Sequence, residues 1–263
     1  MANFHVLAGG TETPAYPAIR KIGMIDLMSA LSEGTRDFWA KPSHYAFLGL
    51  IYPVMGVLLA LWTSGANTWP LLYPLVSGFA LVGPFAALPL YEISRRLEAG
   101  EPATWSDARG VLRSPALPAI AVLGLLLFAV FTLWLTSAQA LYEALFGFRP
   151  PASLWSFVGE VLTTQQGWTL IVAGNLVGLV FAVVTLATTV VAFPMLLDRD
   201  CGAMVAVQTS VRAVIANPVP MALWGLIVAG AMVLGSLPLL VGLAVAVPVL
   251  GHATWHLYRR IVV

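Results

Sequence analysis

Residues 213–258 read AVIANPVPMALWGLIVAGAMVLGSLPLLVGLAVAVPVLGHATWHLY, 46 consecutive positions without a Lys, Arg, Asp or Glu. A helix rises about 1.5 Å per residue and the bilayer's hydrocarbon core is about 30 Å thick, so about 20 apolar residues make one span. A single helix of this length would overshoot any bilayer, so the stretch holds two. Gly235-Ser236-Leu237-Pro238 is the break, a helix-ending glycine followed by a proline suited to starting the next helix. The spans on either side are 219–234 and 238–258.

Working upstream, uncharged stretches of the same kind recur at 43–62, 70–91, 116–141 and 168–197. The expectation is an all-α membrane protein of six transmembrane helices. Composition agrees: 59% of residues are hydrophobic and 10% charged, where a soluble domain carries about a quarter charged. The net charge of +1 gives no pointer to nucleic-acid binding, which needs Lys and Arg clustered on a soluble face. One cysteine, Cys201, leaves no intramolecular disulfide and no thiolate metal cluster. The first 19 residues lack the basic and apolar regions of a cleavable signal, so the first span itself is expected to direct insertion.

Basic residues set the orientation. With both termini inside, 12 of the 13 Lys and Arg residues fall on the cytoplasmic side and Arg149 alone falls outside. This gives a multi-pass protein of a bacterial inner membrane, N-in and C-in. The one substantial outer loop, 143–167, carries Leu154, Trp155, Val158, Val161 and Leu162 at helical spacing behind Ser153, which predicts a short N-capped helix.

A threefold pattern underlies the six spans. Arg36, Arg109 and Arg212 each precede a proline by six residues, Pro42, Pro115 and Pro218, where an odd-numbered span begins. Each even-numbered span carries a proline near its inner end: Pro89, Pro194 and Pro248. The repeated unit is a cytoplasmic interfacial helix followed by a membrane hairpin, over about 23–91, 104–197 and 202–258, after a cytoplasmic tail at 1–22. In the first unit Ile25, Met28, Leu31 and Phe38 are expected to face the headgroup region, with Asp26, Glu33 and Arg36 opposite. The junction arginines would meet anionic headgroups or the next helix end.

Little in the spans carries chemistry. His252 and His256 are spaced i, i+4 on one helix, as a metal-chelating pair would be, and His44 lies at similar depth. A metal, or a haem held between His44 and one C-terminal histidine, stands beside a plainer reading in which these residues hydrogen-bond at the membrane boundary. Asn175, Thr185 and Gln139 are intramembrane polar residues, readable as helix–helix packing or as a neutral-solute pathway. Cys201 has no histidine near it in sequence and reads as an inert loop thiol.

The stretches 42–53 (PSHYAFLGLIYP), 89–96 (PLYEISRR) and 251–259 (GHATWHLYR) resemble a bacterial family of integral membrane proteins, domain-of-unknown-function family 2189, over nearly the whole chain from Ile19. Some members of that family are labelled cytochrome c oxidase subunits. Four histidines in the whole chain, His5, His44, His252 and His256, are too few for a haem–copper catalytic subunit. The resemblance therefore implies a membrane fold and association with a larger complex. The resulting expectation is a non-enzymatic accessory or assembly subunit of a respiratory or photosynthetic inner-membrane complex, with no cofactor of its own. Its partners would be the lipid bilayer and other subunits, not nucleic acid. The alternatives are a carrier for a small neutral or amphipathic solute, and haem or metal binding at the cytoplasmic face.

Overall fold

The computed structural model describes residue 6 and residues 16–42, 69–104, 107, 109–148, 151–199, 201–237 and 240–263. The proposed first span at 43–62, with His44, and also His5, lie outside the described residues. The helices are α1 (Met24–Ala40), α2 (Trp69–Ala86), α3 (Leu88–Glu98), α4 (Leu117–Phe146), α5 (Leu154–Thr163), α6 (Gln165–Thr189), α7 (Ala192–Asp198), α8 (Ala203–Ala216), α9 (Pro218–Ser236) and α10 (Leu243–Ile261), with a 3₁₀ turn at Arg109–Arg113. Among the described residues there is no strand, only an isolated antiparallel bridge between Ile19 and Val262.

Four helical stretches are long and apolar enough to cross a membrane: Trp69–Glu98, Leu117–Phe146, Gln165–Asp198 and Pro218–Ser236. They correspond to the second to fifth expected spans. The first of these stretches has 30 residues and would rise about 45 Å, more than the hydrocarbon core. The excess is α3, which carries Glu92, Arg95 and Arg96.

Two of these stretches are broken near the proline that the sequence places at their inner ends. Pro89 sits in the first turn of α3, and the helix restarts after Ala87. Pro194 sits in α7, which restarts after Val191. Proline lacks the N–H that would bond the carbonyl four residues back, and its ring crowds that carbonyl. The donor freed at the second break is satisfied from α8: the Val191 N–H donates to Ser210 Oγ at 3.2 Å. Pro248 stands inside α10, which continues through it.

The chain forms two compact units. The unit of residues 52–82 and 126–185 has a core of Leu81, Val130 and Trp134, packed by Leu135, Val177 and Phe181. A Cβ on Gly78 would come within 2.5 Å of the Phe131 ring, so glycine is what lets α2 and α4 approach there. The outer-loop helix α5 begins as expected, with the Ser156 N–H donating to Ser153 Oγ at 3.1 Å.

The unit of residues 1–51, 83–125 and 186–263 gathers α1, α3, α7, α8, α9 and α10. Its largest fully buried side chains include Trp224, Trp255, Tyr258 and Phe193. The chain ends meet: the Arg20 N–H donates to the Ile261 carbonyl at 2.8 Å and the Val263 N–H to Ala18. On α1 the buried stripe is Leu27, Ala30, Gly34 and Phe38, while Ile25 and Met28 are exposed. Ile25 and Met28 thus face outward as periodicity assigns them, while Phe38, assigned to the same face, is buried. The small residues Ala30 and Gly34 let α1 pack against α10, which turns Ile25 and Met28 outward.

Candidate functional site

The C-terminal turns of α10 carry the densest polar cluster in its unit. Positions 252, 256 and 260 recur every four residues and so share one face, and on α1 Glu33 and Asp37 do the same. Those two stripes meet. Arg260 grips Glu33 through both terminal nitrogens, each at 2.8 Å. His256 places Nδ1 3.3 Å from Glu33 Oε2 and Nε2 2.8 Å from Asp37 Oδ2. Ser94 of α3 donates its hydroxyl to Asp37 at 2.6 Å and lies 2.8 Å from His252 Nδ1. The result is one continuous line: Arg260, Glu33, His256, Asp37, Ser94, His252.

Electrostatics follows the geometry. Hydrogen bonding from Arg260 holds the Glu33 carboxyl below its ordinary range against the opposing effect of burial, with Arg260, His256 and Arg36 adding Coulomb attraction. The same contact raises the Arg260 guanidinium. Only the imidazolium form has two N–H donors, so His256 satisfies both carboxylates when it carries its proton.

Ser94 has one proton, and it is directed at Asp37. The remaining contact then requires His252 to donate from Nδ1, which leaves Nε2 as a lone-pair acceptor. His252 is fully buried, and its Nε2 has no hydrogen-bond partner among the described residues. Ser94 is also fully buried, and it gives its proton to a carboxylate, not to the imidazole. Nucleophilic catalysis needs the reverse, with a base accepting from the hydroxyl and a third group orienting that base.

A second cluster joins three helix ends. Arg259 reaches Glu98 at the end of α3 at 3.0 Å and Asp198 at the end of α7 at 3.3 Å. Trp255 Nε1 donates to Glu98 at 2.8 Å, and the Tyr258 hydroxyl donates to Asp198 at 2.6 Å. Nearby, buried Glu92 accepts from Arg95 at 2.8 Å and from Arg96 at 2.7 Å.

The histidine pair singled out by spacing is thus brought into one network, though not as a chelate. His256 spends both nitrogens on carboxylates, and His252 turns Nδ1 toward Ser94. Among the described residues no group of three or more His, Cys, Asp or Glu side chains is arranged to hold a metal. Sequence reasoning missed Glu33, Asp37, Ser94, Glu98 and Asp198 as partners. The available signal was the match of two stripes with the same four-residue step, Glu33–Asp37 and His252–His256–Arg260.

The other candidates fall elsewhere. Asn175 accepts from the Tyr73 hydroxyl at 2.9 Å and donates to the Ile171 carbonyl at 2.8 Å. Gln139 donates to Glu143 at 2.6 Å, and Thr185 is buried. Of the junction arginines, Arg212 lies over the Tyr16 ring at 5.4 Å, Arg109 begins the 3₁₀ turn, and Arg36 lines an open groove on α1. Asn217, between α8 and α9, accepts from the Ile22 N–H at 2.8 Å. It donates to the Arg20 and Ala213 carbonyls.

No curated protein and no solved structure matches the chain. A family profile does match, over residues 71–198. That range contains the stretch 89–96, and with it Glu92 and Ser94, while 42–53 and 251–259 lie outside it. The profile matched by residues 71–198 is that of a family described as predicted integral membrane protein (DUF2189).

Proposed function

We propose that this integral membrane protein is a non-catalytic accessory or assembly subunit of a larger complex in a bacterial inner membrane, respiratory or photosynthetic. One observation carries the reading. Among the described residues of the 52–82 and 126–185 unit, polar side chains in the spans are engaged within the protein at Tyr73–Asn175, Trp134–Pro74 and Gln139–Glu143. Most of what α6 turns outward is apolar, including Val172, Leu176, Leu179, Val180 and Val183, and the exposed Asn175 among them is bonded to Tyr73 and to its own helix. Such a surface suits lipid or another apolar helix.

The proposal keeps six spans as three hairpin repeats, N-in and C-in. Support comes from the side of the membrane at which helices end. Arg259 joins the ends of α3, α7 and α10, the arrangement that an even number of crossings between each and the next would give. The pairs α4 with α6 and α9 with α10 give such a number. The Asp37–Ser94 bond joins α1 to α3, in keeping with α1 on that same side. One crossing is then needed before α2, and 43–62, outside the described residues, is assigned to it.

The test is purification of the natively expressed protein in mild detergent, with stoichiometry by quantitative mass spectrometry. A partner at fixed ratio is the expected result. Recovery of the protein alone would overturn the accessory role. A second reading, haem or metal at the cytoplasmic face, has the open Nε2 of His252 in its favour. The Ser94–Asp37 pair behind the ring is the kind of support that ligating histidines have. A Soret band or stoichiometric metal, lost in His252→Ala, would carry it.

A further inference from the structure

The outward face of α1 is unlike an ordinary solvated helix face. Ile25, Met28, Ser32, Arg36 and Trp39 fall along one stripe at steps of three and four residues, opposite the buried Leu27, Ala30, Gly34 and Phe38. Ile25 is 83% exposed and Trp39 73%. Met24, Ile25, Met28, Ser29, Ser32 and Arg36 line a groove of about 400 Å³ in this face. Glu33 also borders it, but its charge is matched by Arg260.

From this we infer that the groove is a binding site for one anionic phospholipid. Its phosphate would be held by Arg36 and the Ser29 and Ser32 hydroxyls, and its glycerol and upper acyl chain would lie against Met24, Ile25 and Met28. Three observations fix this occupant. The groove's charge balance is positive once Glu33 is paired. Its floor is apolar, which a free phosphate would not use. And α1 is fastened through Asp37 and Ser94 to α3, which carries Glu92, Arg95 and Arg96 at the charged end of the stretch Trp69–Glu98. The junction arginine Arg36 borders this groove. Arg212 is stacked on Tyr16. The inference rests on α1 lying at the membrane surface and not on the accessory role.

The test uses the full-length protein, delipidated in detergent and titrated with phosphatidylglycerol or phosphatidylcholine under native mass spectrometry. Wild type is expected to retain one phosphatidylglycerol with at least fivefold preference over phosphatidylcholine. Arg36→Gln should abolish the preference, Arg36→Lys should keep most of it, and Met28→Ser should weaken both lipids. Excess inorganic phosphate should not displace the lipid. Unchanged preference in Arg36→Gln, or displacement by phosphate alone, would overturn the proposal. Quenching of Trp39 by brominated lipids, read as the difference from Trp39→Phe, checks the depth of α1 separately. The partner-capture experiment can fail without touching either result.

Discussion

Gly34 of α1 lies directly on the backbone of Ala253 in α10: a Cβ built at residue 34 would stand 2.4 Å from the Ala253 nitrogen. Backbone cannot swing aside as a side chain can, so the contact admits glycine alone. Gly34→Ala should force the two helices apart, with an overpacking cost of about 1–3 kcal/mol. It should also loosen the Glu33–Arg260 and Asp37–His256 contacts on either side. The measurement is thermal unfolding in detergent together with the rate of tryptic cleavage after Arg36. An unchanged melting temperature and an unchanged cleavage rate would mean that α1 does not pack as described.

Glu33 gives that contact a pH dependence. Its carboxyl is held below the ordinary value of 4.5, chiefly by the hydrogen bonds from Arg260. A depressed carboxylate stabilises the folded state above its unfolded-state value and ceases to do so as pH falls through the lower folded-state value. The contribution is therefore complete at neutral pH and is lost below about pH 4.5. Because Glu33 is partly exposed, water screens the pair, and the expected size is about 0.5–1 kcal/mol. Glu33→Gln should lower stability by that amount at pH 7. The difference between wild type and variant should shrink toward zero as acid is added, in parallel denaturation series. A difference that stays constant down to pH 3 would contradict the assignment.

The four helical stretches long and apolar enough to cross a membrane were legible in the sequence because apolar length is a one-dimensional property. The gap in charge from 213 to 258 needs no knowledge of neighbours, and the end of α9 at Ser236 falls where Gly235 and Pro238 put it. The Ser153 cap and the prolines at the α2–α3 and α6–α7 breaks were readable for the same reason, since each acts on its own helix. Faces were harder. On α1 the periodicity of large residues suggested Ile25, Met28, Leu31 and Phe38 as one face, whereas burial follows the small Ala30 and Gly34. Close helix approach rewards the absence of a side chain, which a hydrophobicity pattern does not score. The network was least legible. Asp37, Ser94 and His252 are separated by 57 and 158 residues, and only the packing of three helices makes them neighbours.

Asn217 fastens the N-terminal segment to the junction of α8 and α9. Its Oδ1 accepts from the Ile22 N–H at 2.8 Å, and its amide donates to the Arg20 and Ala213 carbonyls. Asn217→Ala would leave a buried donor unpaired, at a cost of about 1–3 kcal/mol. Asn217→Asp keeps the acceptor for the Ile22 N–H but sets a buried carboxylate oxygen against the Arg20 and Ala213 carbonyls, so it should destabilise globally while still protecting that amide. Hydrogen exchange reads this locally: the Ile22 amide should exchange at least tenfold faster in the alanine variant than in the aspartate variant. Equal rates would show that another group protects that amide.

Tyr73 and Asn175 distinguish packing from transport in the other unit. The Tyr73 hydroxyl donates to Asn175 Oδ1 at 2.9 Å, and the amide's own donor goes to the Ile171 carbonyl. An amide so engaged serves to join α2 to α6. Interhelical hydrogen bonds in membranes are worth about 0.6–2 kcal/mol, so Tyr73→Phe and Asn175→Leu should each destabilise the fold by about that much. Their effects should not add, because each removes the same bond, and a double-mutant cycle should return a coupling of about 0.6 kcal/mol or more. A solute carrier would behave otherwise. There, Asn175→Leu would abolish uptake into reconstituted vesicles while leaving the melting temperature near wild type, and Tyr73→Phe would change substrate affinity. Measured together, the cycle and the uptake assay separate the two roles, because a packing bond shows itself in stability and a substrate contact in flux.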